Sequence, residues 1–242
     1  MYEDLVNDVR DLKRQSRIRR DSGDYEGAEK LLRKAIDLLK PPAQMMVDTL
    51  PPDIAVSEDY RDLAKELADC WGSLGGIHRR RAESLRNPDS EQARMEFDAA
   101  LEAYKAGRKL EQDDRFRAKD SYNLVQSVVL PLILSPHRFD DEPYKRNLQE
   151  VERSIQRQIA TSRPNDPWAY SDLGLIQLLL GDEVSSNESW DYMDELKPKQ
   201  NIYTSGLPVL QSLSRTLPAV KPLRDAAERF QAAAAKFKTE SR

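Results

Sequence analysis

Two stretches of the chain decide the fold, Gly23-Asp-Tyr-Glu-Gly-Ala-Glu-Lys-Leu-Leu-Arg-Lys-Ala35 and Trp168-Ala-Tyr-Ser-Asp-Leu-Gly-Leu-Ile-Gln-Leu-Leu-Leu-Gly-Asp182. Both fit one repeating unit of about 34 residues, in which two helices are joined by a turn and cross at small side chains. A unit of this kind cannot bury its apolar face alone, so units stack in a row and leave a long surface exposed. The sequence therefore predicts an α-solenoid whose task is binding rather than catalysis.

The composition agrees with a long, folded, helical chain. Its 242 residues are 39% hydrophobic, which is enough for a packed core. Helical periodicities recur between proline-marked breaks, whereas the alternating apolar runs that are typical of strands are few. Because the unit matches the tetratricopeptide pattern, we predict an all-α, tetratricopeptide-like α-solenoid of about five helical pairs.

We predict a single solenoid domain that spans the whole chain in three parts. Residues 1–56 form an N-terminal helical pair plus a connector, because Pro41-Pro42 is expected to stop the second helix near Leu39. Residues 57–200 form the core repeats, and residues 201–242, which are rich in alanine, form a capping pair. The helices outside the quoted stretches are predicted at about 3–21, 58–85, 91–111, 118–134, 142–161, 207–217 and 220–237.

The charge and the cysteine content limit the classes of partner and the cellular compartment that we expect. The formal net charge of -4 and the interleaving of acidic with basic residues give no case for a nucleic acid partner. A single cysteine, Cys70, excludes an internal disulfide framework and a cysteine zinc site. The sequence has no apolar run of membrane-spanning length and no apolar leader with a cleavage site. We therefore expect a cytoplasmic protein without a membrane partner.

The sequence contains no recognised motif for catalysis or metal binding. Its two histidines, His78 and His137, lie in different elements, and no His-Glu-x-x-His, serine elbow or phosphate-binding glycine loop is present. An enzyme would need an acid-base pair, which the sequence does not reveal. We expect a protein that is not an enzyme and uses neither a metal nor a cofactor.

Glycines and arginines mark a candidate anion site on the third helix, within Gly72-Ser-Leu-Gly-Gly-Ile-His-Arg-Arg-Arg81. Each glycine inside a helix costs about 1 kcal/mol relative to alanine. Gly75 is expected at the crossing with the fourth helix, whereas Gly76 is expected to face the concave groove, where a missing side chain lets a ligand approach. Arg79 and Arg80 follow one turn later and suit phosphate or carboxylate. The alternative is that these arginines pair with acidic residues of neighbouring helices.

A polar stripe on the fifth helix is the second half of the candidate site. Asp120, Asn123 and Ser127 are spaced by three and four residues, so they share one helix face, which the repeat register turns toward the groove. Asp and Asn are poor residues for a helix interior, so the stripe predicts hydrogen bonding to a ligand. A hydrogen-bond network between repeats is the alternative.

Three segments resemble a known family: Leu74-Gly-Gly-Ile-His-Arg79, Ala100-Leu-Glu-Ala-Tyr-Lys-Ala-Gly107 and Ser121-Tyr-Asn-Leu124. They are similar to the central repeat region of apoptosis signal-regulating kinases and to sensor-type tetratricopeptide domains of bacterial conflict systems. The resemblance covers about residues 58–200 and implies a domain that senses a nucleotide-derived signal linked to NAD metabolism. By this resemblance, Arg79 corresponds to the basic residue of the family's first segment, and Asn123 corresponds to the amide residue of its third segment. His78 stands where the family has a tyrosine.

The leading hypothesis is a non-enzymatic sensor or adaptor. Its groove would bind a phosphorylated, ADP-ribose-like ligand, and the protein would signal this binding to a protein partner or effector that is encoded separately. The alternative is an interaction scaffold that clamps an acidic partner peptide in the same groove. In both cases the predicted binding residues are Gly76, Arg79, Arg80, Asp120, Asn123 and Ser127.

Overall fold

The computed structural model describes residues 2–49, 56–87, 90–113, 115–116 and 120–240. Within these ranges the chain forms ten α-helices, one short 3-10 helix and no β-strand, which confirms the predicted all-α fold. No helix in the described ranges is long and apolar enough to cross a membrane. The α-helices are α1 (Glu3–Asp21), α2 (Tyr25–Thr49), α3 (Glu58–Ser84), α4 (Glu91–Gln112), α5 (Tyr122–Leu134), α6 (Glu142–Thr161), α7 (Pro167–Leu179), α8 (Glu183–Glu195), α9 (Gln200–Thr216) and α10 (Lys221–Glu240).

The chain divides into two compact units, residues 1–127 and residues 128–242, which we call unit 1 and unit 2. The boundary falls inside α5. In unit 1, α2 packs on α1 and α3, and α3 packs on α4. In unit 2, α7 packs on α6 and α8, and α9 packs on α10. Most of these helices therefore pack on the helix that precedes or follows them in the chain, as in an α-solenoid.

The two quoted stretches adopt the same turn, in unit 1 and in unit 2. Gly23 and Gly181 both have φ of +84°, a left-handed conformation that glycine adopts without strain. An aspartate follows each glycine and accepts a hydrogen bond three residues on: Asp24 from the Gly27 amide at 2.8 Å, and Asp182 from the Ser185 amide at 3.0 Å. These side chains cap the second helix of each pair.

The helix crossings are as close as the sequence predicts. A Cβ atom added to Gly75 would lie 2.7 Å from the ring of Tyr104, so α3 and α4 can approach only because this residue is glycine. Gly174 holds the same place between α7 and α8, where a Cβ atom would lie 2.7 Å from Cδ1 of Trp190. The placement of Gly75 at the crossing is therefore confirmed.

The predicted end of the second helix is wrong. We expected Pro41-Pro42 to stop it near Leu39, but α2 continues to Thr49 with both prolines inside the helix. Proline in a helix interior costs about 3 kcal/mol or more. The helix continues because its apolar face does: Leu39 and Ala43 are both buried, in line with the buried residues of the preceding turns. Of the predicted connector over residues 40–56, residues 50–55 lie outside the described residues.

Two other boundaries differ from the prediction. The fifth helix begins at Tyr122 rather than near residue 118, and residues 117–119 lie outside the described residues. The ninth helix begins at Gln200, seven residues before the predicted start at 207, and contains Pro208. The start of α5 has a local cause, since carboxylates accept hydrogen bonds from its first backbone amides.

Candidate functional site

The most unusual side chain of unit 1 is the buried arginine on α3. Arg79 is only 5% exposed. Its Nη1 donates a hydrogen bond to Oε1 of Gln126 at 3.0 Å, whereas its Nε has no hydrogen-bond partner. The nearest carboxylate is that of Glu83, with Oε1 at 3.5 Å from Nε. A buried guanidinium is energetically costly unless all its donors are satisfied, so the unsatisfied Nε makes Arg79 a candidate anion-binding residue.

Hydrogen-bond donors from three helices converge beside Arg79 in unit 1. The point where a Cβ atom of residue 76 would lie is 3.3 Å from Arg80 Nη1, 3.5 Å from the Tyr122 hydroxyl and 3.9 Å from the Tyr104 hydroxyl. Glycine at this position keeps the point open. Arg80 Nη1 currently donates to the backbone oxygen of Gly76 at 3.3 Å. We call Gly76, Arg79, Arg80, Tyr104 and Tyr122 the donor cluster.

The two tyrosine hydroxyls of the donor cluster lie 3.4 Å apart. Burial raises the pKa of Tyr104 well above its usual value of about 10, so its hydroxyl stays protonated at neutral pH. A protonated hydroxyl beside two guanidinium groups can donate to an anion. The cluster therefore presents donors and positive charge together, which is the chemistry that phosphate and carboxylate groups require.

The start of α5 is held by two carboxylates. Asp120 Oδ1 accepts hydrogen bonds from the backbone amides of Ser121 and Tyr122, at 2.7 and 2.9 Å. The buried Glu111 accepts from the amides of Asn123 and Leu124, at 3.1 and 2.8 Å. Burial, reinforced by the charge of Asp120, raises the pKa of Glu111 to about 8. Asp120 thus has a structural task as the cap of this helix.

Asn123 is packed between helices of unit 1. Its side-chain amide donates to the backbone oxygen of Ala68 at 2.9 Å and to Glu111 Oε1 at 2.7 Å. Gly72 and Gly107 lie against the same side chain, where any Cβ atom would collide with it. Only 1% of Asn123 is exposed. These hydrogen bonds belong to the network between helices that the sequence offers as the alternative to ligand binding.

Ser127 is also buried and bonded within unit 1. Its hydroxyl donates to the backbone oxygen of Leu124 at 2.8 Å and accepts from Arg108 Nη1 at 3.2 Å. Arg108 also donates to Gln112, one turn further along α4. Ser127 directly follows Gln126, the partner of Arg79.

The structure therefore groups the six predicted residues into separate neighbourhoods. Gly76, Arg79 and Arg80 lie together in the donor cluster. Asp120 and Asn123 meet around Glu111 at the start of α5, and Ser127 contacts Arg108.

Three polar residues beside Arg79 are absent from the sequence prediction: Tyr104, Tyr122 and Gln126. Tyr104 and Tyr122 lie in two of the segments that carry the family resemblance, but the sequence gives neither of them a binding role. The two tyrosines could have been identified from their chemistry, since a tyrosine hydroxyl inside a packed unit needs a hydrogen-bond partner.

Another polar network joins three helices of unit 1. Arg81 donates to Glu29 of α2 at 2.7 Å and to Glu96 of α4 at 2.9 Å. His78 Nδ1 lies 2.7 Å from the same Glu96. Arg81 therefore pairs with acidic residues of neighbouring helices. These hydrogen bonds join α2, α3 and α4.

A surface depression of about 580 Å³ lies along α2, and none of the predicted binding residues lines it. Leu38 is 39% exposed and lines this depression, because it lies outside the buried stripe of α2. The depression is lined by Glu26, Glu29, Lys30, Arg33, Lys34, Asp37 and Leu38.

The described residues contain no group of three or more histidine, cysteine or carboxylate side chains that could hold a metal ion. Comparison with known proteins adds no family: no protein-family model matches the chain, and no curated protein is detectably similar to it.

Proposed function

We propose that this protein is a non-enzymatic sensor or adaptor whose donor cluster binds the phosphate of a nucleotide-derived small ligand. The observation that carries the proposal is the buried guanidinium of Arg79, whose Nε has no hydrogen-bond partner, close to the tyrosines Tyr104 and Tyr122. Arginine forks and hydroxyls are the side chains that hold phosphate oxygens in proteins. Gly76 supports the proposal because a side chain there would occupy the point on which these donors converge.

The ligand's remaining parts are proposed from the resemblance to sensor-type repeat domains. An ADP-ribose-like molecule would place its phosphates at the donor cluster. Its sugar or base would face the partly exposed Tyr122, since a ring of this kind accepts stacking. The proposal further includes a cytoplasmic location, supported by the buried, unpaired Cys70, and a separately encoded protein partner that receives the signal.

An interaction scaffold is the second candidate. The same two arginines would then clamp a carboxylate of an acidic partner peptide. The clustering of donors around a single point favours a small anionic group, because an extended peptide needs contacts spread along several helices.

Binding of ADP-ribose measured by titration calorimetry tests the proposal. We expect Arg80→Gln to weaken binding about tenfold or more, as is typical for the loss of a charge-assisted hydrogen bond. Arg94→Gln is the matched control, because Arg94 is an exposed arginine on α4 outside the donor cluster. Equal affinity for the wild type and Arg80→Gln would exclude the donor cluster as the site. Binding of an acidic peptide but of no phosphorylated compound would favour the scaffold.

A further inference from the structure

Glu83 lies at the edge of the donor cluster and faces its most buried charge. It follows Arg79 by one helical turn, and its Oε1 lies 3.5 Å from the Nε that has no hydrogen-bond partner. The Arg79 side chain is 7% exposed, whereas that of Glu83 is 37% exposed. Glu83 thus balances the charge of Arg79 from the solvent side without bonding to its free donor.

We infer that Glu83 is a tethered competitor, which occupies the place beside Arg79 that the ligand's phosphate takes and is displaced when the ligand binds. This inference rests on the proposed anion site. Glu83 is 37% exposed, so its carboxylate can swing into solvent. The cost of leaving the buried Arg79 without a counter-charge is avoided because the ligand's phosphate takes the place of the carboxylate. The ligand's phosphate would then face the Nε that Glu83 leaves without a hydrogen bond.

The charge balance indicates which ligands can make this exchange. Arg79 and Arg80 carry two positive charges, and Glu83 supplies one negative charge. A phosphate monoester carries about two negative charges at neutral pH, so it balances both arginines once Glu83 has moved away. A ligand with a single carboxylate would replace one charge by an equal one and gain little. Glu83 therefore favours the binding of phosphoryl groups over that of single carboxylates.

The test is the affinity of the full chain for methyl phosphate at pH 7.5, measured by titration calorimetry. We expect Glu83→Gln to bind about fivefold more tightly than the wild type, as the loss of a partly exposed competing ion pair implies. Glu83→Asp is the decisive control, because it keeps the charge but shortens the side chain by one methylene. A displaced competitor predicts that this variant also binds more tightly, whereas a general effect of negative charge predicts no change.

The outcomes separate this inference from the proposed function. If methyl phosphate binds to the wild type and is lost in Arg80→Gln, but Glu83→Gln is no tighter, the inference is overturned and the proposed function stands. If Glu83→Gln binds more weakly, Glu83 holds Arg79 in position, which also overturns the inference. If neither the wild type nor Glu83→Gln binds methyl phosphate, the inference is overturned, and the titration with ADP-ribose decides the proposed function. A far-ultraviolet circular dichroism spectrum of each variant checks that it is folded.

Discussion

Gly107 of α4 lies directly under the side chain of Asn123. A Cβ atom at residue 107 would lie 2.6 Å from Asn123 Oδ1 and still closer to its Cγ. Asn123 cannot move aside easily, because its amide is bonded to Ala68 and Glu111. The glycine is therefore the reason that a polar side chain can enter the space between α3 and α4.

The first prediction concerns this contact. Gly107→Ala should lower the free energy of unfolding by about 2–3 kcal/mol, because the added methyl group overpacks a site with no room to relax. Gly76→Ala is the control: its nearest neighbour at 3.3 Å is the flexible end of Arg80, so it should change stability by less than about 1 kcal/mol. Urea unfolding followed by circular dichroism measures both, and equal losses would contradict the packing argument.

The second prediction concerns pH. Burial raises the pKa of Glu111 from 4.5 to about 8, so the folded chain holds a proton that the unfolded chain releases above pH 4.5. The resulting stabilisation is complete below pH 4.5 and is lost as the pH rises to about 8. Urea unfolding should therefore become easier between pH 5 and pH 8, by roughly 2–4 kcal/mol.

A variant isolates the contribution of Glu111 to this pH dependence. Glu111→Gln should make the profile between pH 5 and pH 8 shallower, whereas Glu102→Gln, which changes an exposed carboxylate of α4, should leave it as in the wild type. The lowered pKa values of Glu29, Glu66 and Asp113 act only below their usual values. Burial raises the pKa of Asp69, so this carboxylate acts in the same direction as Glu111 and remains in both variants. An unchanged slope in Glu111→Gln would show that Glu111 ionises normally.

The features that the sequence predicts correctly depend on residues that lie close together along the chain. The turns at Gly23 and Gly181 and the crossing at Gly75 depend on residues a few positions apart, so a repeat pattern contains them. The end of α2 could not be predicted in this way, because the burial of Leu39 and Ala43 outweighs the local effect of two prolines. Tertiary packing decides such boundaries.

The same distinction applies to the candidate site. The sequence identifies Gly76, Arg79 and Arg80 because they lie on one helix. It cannot show that Tyr122 reaches the same point from α5, since that depends on how the helices cross. It also assigns Asp120 to a ligand, and it does not show that this carboxylate caps α5, because a polar residue near a helix start serves either purpose.

The third prediction concerns the single cysteine. Cys70 is fully buried, and burial raises the pKa of its thiol to about 12, so almost no thiolate exists in the folded chain. Labelling with a thiol-reactive disulfide at pH 8 should be at least about a hundredfold slower in buffer than in denaturant. In Gly107→Ala, the rate of labelling should rise by the factor that corresponds to the loss in the free energy of unfolding. Rapid labelling of the folded wild type would show that α3 opens locally.

The last prediction concerns the ion pairs that join α2, α3 and α4. Arg81 is bonded to Glu29 and Glu96 and is about a quarter exposed, so removing it takes one cation away from two partly buried carboxylates. A double-mutant cycle of Arg81→Met and Glu96→Gln should give a coupling energy of about 1 kcal/mol or more. The exposed pair of Lys105 and Glu102 should give less than about 0.5 kcal/mol in the same experiment. Equal coupling in the two cycles would mean that the network of Arg81 contributes no more to stability than a surface pair.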